Sequence, residues 1–287
     1  MTRSGLQLVL VATFAIVIPL IVFLVQPHLP ALGTIRLLEP GGATFPESPI
    51  RFTQRQVAPL LGHQPRITNV QIVDFDGDGI VDVVACDAQT NSVLWYRQND
   101  QGEWEERVLG TDLVAPAHAT VVDLDQDGDL DVVVSVLGNI APDDGVVGSL
   151  VLLEQHEGQF RQQILLDDVR RVADAQPSDF DGDGDLDLAV AVFGYARGSI
   201  LWLENRGDGT WIDRKLHTAP GTIHVPVGDY DGDGDLDIAA VVSQNEEEVW
   251  GFENLGGGRF RSRRLFFTMN HDIGSAGLVQ SDLDGDG

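Results

Sequence analysis

Asp179-Phe180-Asp181-Gly182-Asp183-Gly184-Asp185-Leu186-Asp187 decides the reading of this chain, because it is one of four complete copies of a single pattern, D-x-D-x-D-G-x-x-D. The copies start at Asp74, Asp123, Asp179 and Asp229, and a fifth begins at Asp282 and runs to Gly287. The chemistry suits a hard cation. Calcium takes six to eight oxygens, and a loop can offer them from alternate residues while turning sharply at a glycine. Asp74, Asp76, Asp78 and Asp82 would supply side-chain oxygens in the first copy, and Ile80 a backbone carbonyl. The later copies offer Asp123, Asp125, Asp127, Asp129 and Asp131; Asp179, Asp181, Asp183, Asp185 and Asp187; and Asp229, Asp231, Asp233, Asp235 and Asp237. The incomplete copy contributes Asp282, Asp284 and Asp286. Gly79, Gly128, Gly184 and Gly234 hold the sixth position, where a turn with positive φ is expected. The apolar eighth residues, Val81, Leu130, Leu186 and Leu236, are expected to anchor each loop to a core.

An EF-hand is the obvious rival. It requires a bidentate Glu at position 12 and a helix after the loop. Position 12 here is Ala85, Val134, Val190 or Ala240, inside runs such as Leu130-Asp131-Val132-Val133-Val134. Each loop therefore leads into a strand.

The loop starts are 49, 56, 50 and 53 residues apart, and periods of this size mark propellers or arrays. Each period reads as four strands. In the third they are 173–178, 186–193, 199–205 and 211–217; in the fourth, 223–228, 236–243, 249–254 and 260–267. Turn-rich segments join the last two strands of each repeat: Asn99-Asp100-Gln101-Gly102, Glu157-Gly158, Arg206-Gly207-Asp208-Gly209 and Gly256-Gly257-Gly258. Hairpin chemistry at fixed phase predicts an all-β chain of four-stranded blades, four nearly complete and a fifth begun. Residues 50–57 resemble the fourth strand of a later repeat and could complete the last blade of a closed ring.

Loop chemistry, period and hairpin phase together resemble the FG-GAP/VCBS repeat family, the bacterial relative of the integrin α-subunit propeller. The resemblance covers roughly residues 50–287. It implies a β-propeller, seven-bladed in the full protein, with about one calcium ion per complete loop. Phe193-Gly194 is only a faint echo of the family's FG element and no Gly-Ala-Pro occurs, which favours the VCBS-like branch.

With 18 Lys and Arg against 45 Asp and Glu, the formal charge is −27, much of it in the loops. Such a chain repels nucleic acid, whose binding depends on basic residues at phosphates. Cys86 is the only cysteine, so no intramolecular disulfide forms and no paired-cysteine metal motif exists. Leu6–Val25 is an uncharged run of twenty residues behind Arg3, long enough to span a bilayer with the remainder outside. A cleaved signal peptide is the other reading, with a small-x-small site at Ala31-Leu32-Gly33. The organisation is then an anchor or signal at residues 1–25, a Pro- and Gly-rich stalk at 26–49, and repeats from 50 to 287.

Five residues before each loop stand Asn69, His118, Asp174 and His224, on the strand face opposite the apolar residues at −4 and −2. They are candidates for a ligand-facing ring at a channel mouth, against a solvated polar lining. Trp95, Trp202 and Trp250 read as inter-blade core. Arg206-Gly207-Asp208 is an RGD tripeptide whose Gly and Asp have backbone reasons to be in a turn. No strand-to-helix G-x-S-x-G elbow, P-loop or H-E-x-x-H motif is present. These observations lead to an extracytoplasmic, calcium-binding module with an extracellular protein or glycan as partner. The alternative is the propeller portion of an exported polysaccharide-degrading or redox enzyme whose catalytic domain lies beyond Gly287.

Overall fold

The computed structural model describes residues 57, 64–141, 143–244, 246–268 and 277–278, and among them all regular structure is β-strand. The N-terminal run Leu6–Val25, the stalk, residues 50–56 and the incomplete loop from Asp282 lie outside the described residues.

Each repeat forms its own antiparallel sheet, with strands in chain order. The first holds β1 (Ile67–Val73), β2 (Asp82–Asp87), β3 (Ser92–Gln98) and β4 (Trp104–Gly110). The second holds β5 (Pro116–Val122), β6 (Asp131–Val136), β7 (Gly148–His156) and β8 (Gln159–Val169). The third holds β9 (Arg171–Ser178), β10 (Asp187–Phe193), β11 (Ser199–Asn205) and β12 (Trp211–His217). In the fourth, β13 (Thr222–His224) and β14 (Val227–Gly228) both pair with β15 (Asp237–Val242), followed by β16 (Glu248–Asn254) and β17 (Phe260–Phe267). The first strands of successive sheets lie beside one another, β1 by β5, β5 by β9 and β9 by β13. The arrangement is β-propeller-like.

The cores lie between sheets. In β6, Val132, Val134 and Val136 pack with Phe75, Val84, Val93 and Trp95 of the first sheet, while Val133 packs towards the third. In β10, Leu188, Val190 and Val192 face the second sheet, whereas Ala189 and Ala191 join Val225, Ile238 and Phe252 of the fourth. A strand with neighbours on both faces buries both of its alternating sets, which is why β6, β10 and β15 read as unbroken apolar runs. The fourth strands are largely exposed, as the charges in Trp104–Gly110 and Trp211–His217 require. Trp95 and Trp202 are buried in these inter-sheet cores, and Trp250 is half-buried against His217 at a ring separation of 4.0 Å.

Residues at −4 face the preceding sheet. Ala119 and Val225 are buried there, but Val70 is 48% exposed, because no described sheet precedes the first. Val57 packs on that outer face with Leu94 and Tyr96, and Leu278 packs likewise on the far face of the fourth sheet with Ala239 and Val241.

The first strand of the fourth repeat departs from the expected single strand over 223–228. It is split because Pro226 has no N–H to give, and the Val225 N–H is drawn sideways to Asp174 Oδ2 at 3.0 Å. The other third- and fourth-repeat strands begin and end within two residues of expectation, and β11, β12 and β17 coincide with it.

Candidate metal centre

Each loop is folded by its own carboxylates. In the first, Asp74 Oδ2 accepts the Gly79 N–H at 2.8 Å, Asp76 Oδ1 that of Asp78 at 3.3 Å, and Asp78 Oδ1 that of Ile80 at 2.9 Å. The same three bonds recur in the second loop, from Gly128, Asp127 and Asp129 to Asp123, Asp125 and Asp127. They recur again at Asp179, Asp181 and Asp183, and at Asp229, Asp231 and Asp233. At the third and fifth positions one oxygen closes a local turn and the other stays outside it, a division that these short side chains favour.

Carboxylate oxygens converge as a result. Asp74, Asp76 and Asp78 each bring one oxygen within 4.8 Å of the others, as do Asp123, Asp125 and Asp127. In the third and fourth loops the converging trios are Asp179, Asp181, Asp187 and Asp229, Asp231, Asp237. Asp82, Asp131, Asp183 and Asp233 belong to the same loops but stand outside these trios. Asp74 Oδ1 and Asp123 Oδ1 are buried without a hydrogen-bond partner. An unpaired buried carboxylate oxygen is costly, and a cation in the trio would satisfy it. An all-oxygen donor set with an orphaned oxygen fits calcium.

The ninth aspartates have a second role that spacing did not reveal. Asp82, Asp131, Asp187 and Asp237 open the second strands and are buried. Each accepts a backbone N–H from the end of the third strand: Gln98 at 2.8 Å, Gln155 at 2.8 Å, Asn205 at 2.7 Å and Asn254 at 2.7 Å. The other oxygen takes the second residue's N–H in three loops, from Leu124, Phe180 and Tyr230, and the Trp95 Nε1–H in the first. The ninth carboxylate thus ties loop, second strand and third strand together. Burial pushes Asp131 and Asp187 up to about 6, against the pull of those N–H bonds, and raises Asp237 in the same way.

In the first three loops the second residue is the main anchor, and the eighth is a partial one in two of the four. Phe75 is 2% exposed, and Leu124 and Phe180 are equally buried, whereas Val81 is 55% exposed, Leu236 is exposed, and Leu130 and Leu186 are only half-buried. Leu130 and Leu186 nevertheless pack against the inter-sheet cores, as expected of position 8, whereas Val81 and Leu236 stay exposed. The expected positive φ at position 6 is present, and position 4 shares it, at Gly77, Gly182, Gly232 and, with a side chain, Gln126 at 60°. At position 7 the Asp185 carboxylate lies over Gly207 of the hairpin and Asp235 beside Gly256, with their side chains directed at the blade's own turn.

On the first strands, His118 Nδ1 stands 3.4 Å from Asp174 Oδ1 and His224 Nδ1 3.4 Å from Asp174 Oδ2, with the two rings 6.5 Å apart. Asp174 is buried and also accepts from Gln176 Nε2 at 2.8 Å and from Val225 N. Burial opposes its ionisation, but the imidazoles and the Val225 N–H prevail, and its pKa is lowered. Burial lowers that of His118. Asn69 instead accepts the Ala119 N–H of the next sheet at 3.2 Å. In the RGD turn, Asp208 Oδ1 accepts from the backbone and hydroxyl of Thr210, and Arg206 is paired with Glu204.

An FG-GAP-like repeat matches residues 74–134, 179–240 and 229–287, together more than half of the chain. No curated protein matches it.

Proposed function

The chain belongs to the FG-GAP-like repeat family, and on that premise we propose that it is a calcium-stabilised binding module, carried on the outer side of a membrane and directed at an extracellular protein or glycan. The observation that carries the metal reading is the converging carboxylate trio in all four complete loops, with a buried, partnerless Asp74 Oδ1 and Asp123 Oδ1. Calcium would be held by the aspartates at positions 1, 3, 5 and 9, with the seventh carbonyl completing the set. Bound there it supplies charge neutralisation, and the module's recognition surface depends on blades kept in register by those loops. Sites of the extracellular class bind calcium near 10⁻⁴–10⁻³ M, which suits a domain held outside the membrane by Leu6–Val25 and the stalk at 26–49. A seven-bladed ring is the architecture proposed for the full protein.

Elemental analysis of the full-length protein after dialysis against calcium tests the metal. Calcium on the protein in excess of that in the equilibrated dialysate, and lost from Asp127→Asn and Asp183→Asn one ion at a time, is expected. A protein with no such excess would overturn the reading. Location is tested by a carbonate wash: retention with membranes supports an anchor, and a soluble mature chain starting near Thr34 refutes it.

A further inference from the structure

We propose that Arg97 is a built-in counter-ion that makes the first loop the weakest metal site of the four. This rests on the calcium reading above and concerns how the sites differ.

Arg97 sits in β3, one residue before Gln98, whose N–H meets the ninth aspartate Asp82. The same register in the other three sheets, one residue before Gln155, Asn205 and Asn254, is occupied by Glu154, Glu204 and Glu253. The first repeat alone carries a cation there. Its guanidinium reaches into the loop. Nε donates to Asp76 Oδ2, and Nη2 donates to Asp78 Oδ2 at 2.9 Å. These are the oxygens that the local turns leave over, since Oδ1 of each residue is engaged by a backbone N–H. Arg97 therefore grips the two atoms that a cation in the Asp74, Asp76, Asp78 trio would need. The planar fork of arginine is well suited to such two-point pairing.

A second departure lies in the same loop. Position 7 is Ile80, where the others have Asp129, Asp185 and Asp235. The first loop thus sets four carboxylates against a guanidinium, while each of the others sets five beside a glutamate. In the third and fourth loops Glu204 and Glu253 add to the negative surroundings of Asp181 and Asp231. Glu204 pairs with Arg206 of the hairpin and Arg214 of the outer strand, and Glu253 with Arg261. These guanidiniums are held by the glutamates, and none is hydrogen-bonded to a loop aspartate. Calcium entering the first loop must displace a guanidinium already bonded to its ligands and gains less from the surrounding field. Only the buried Asp74 Oδ1 awaits it. The first blade then keeps its loop closed in low calcium, when the others lose theirs.

The test is equilibrium dialysis of the full-length protein against calcium, at the free concentration that half-fills the tighter sites. Arg97→Gln removes the counter-ion without adding charge, and Arg97→Glu restores the residue of the other repeats. Both are expected to take up about 0.4 more calcium per chain than wild type at that concentration, with the first-loop affinity rising about tenfold, or about 1.4 kcal/mol. The gain should vanish in the Arg97→Gln, Asp78→Asn double variant, which assigns it to the first loop. Equal calcium on wild type and Arg97→Gln, or a gain that survives in the double variant, would overturn the proposal. Calcium on neither protein would defeat the metal reading itself, and this inference would fall with it.

Discussion

Asp187 and Asp174 are both buried aspartates of the third repeat, and their surroundings are opposite. Asp174, between first strands, is met by two imidazoles, an amide and a backbone N–H, so the protein itself satisfies its charge. Asp187, in the loop, has two backbone N–H donors but converges with Asp179 and Asp181. The donors around Asp174 outweigh its burial and lower its pKa, whereas burial pushes that of Asp187 up to about 6 despite its N–H donors, with Asp181 adding to the rise. The lesson is that burial does not decide a carboxylate's role; what surrounds it does. One region is complete as folded, and the other calls for an outside cation.

The largest expected effect separates the two by metal. Asp174→Ala strands several donors and should cost about 3 kcal/mol, equally in calcium and in chelator. Asp187→Ala should cost less than that in chelator, because it strands the Phe180 and Asn205 N–H groups but also removes a buried charge, and distinctly more in calcium because a site is lost. Urea unfolding in both conditions measures this. Equal calcium dependence in the two variants would erase the contrast.

A pH titration sharpens it. Asp131 and Asp187 have folded pKa values raised above the ordinary range, so without metal they make the fold less stable as pH rises from about 4 to about 6. Calcium requires both ionised, so its affinity should be level above pH 7 and fall as pH drops through 6. Asp174 has the reverse sign. Its lowered folded pKa contributes stability above the ordinary carboxylate pKa, lost only as pH falls below that range. Calcium affinity unchanged between pH 7 and 5 would contradict the buried-carboxylate account of the loops.

Much of this architecture was legible in the residues. The four-strand period shows because apolar runs such as Asp187–Phe193 are buried on both faces, while strands such as Trp211–His217 are charged and exposed. The hairpins show because their glycines carry the positive φ of tight turns. The loop aspartates were found through their spacing, but the ninth residue's clamp was not, since its partners are backbone N–H groups that carry no residue signature. The anchoring second residue was visible in Phe75, Leu124 and Phe180, yet the apolar eighth position offered the same signal. Pro226 lies inside the single strand expected over 223–228, and the split there went unread because a proline such as Pro177 is accommodated within β9. The cross-sheet pull of Asp174 on Val225 could not be read from local sequence.

The smallest effect concerns the second loop. Gln126 pays a left-handed backbone penalty of about 1–2 kcal/mol, yet its Nε2 donates to the Gly184 carbonyl of the third loop at 2.6 Å. Gln126→Gly relieves the one and removes the other, and should change stability by less than about 1 kcal/mol. A larger stabilisation in chemical denaturation would show that the loop-to-loop bond contributes nothing.

The most direct measurement is calorimetric melting of the full-length protein in excess chelator and again after calcium is restored. A ligand that binds only the folded form at a hundredfold over its dissociation constant stabilises by about 2.7 kcal/mol per site, and each kcal/mol shifts the melting of a domain this size by about 2–4 °C. The account predicts a melting temperature lowered by many degrees in chelator and recovered with calcium, with the recovery blunted in Asp183→Asn. Superimposable curves, with no calcium found by elemental analysis, would contradict it.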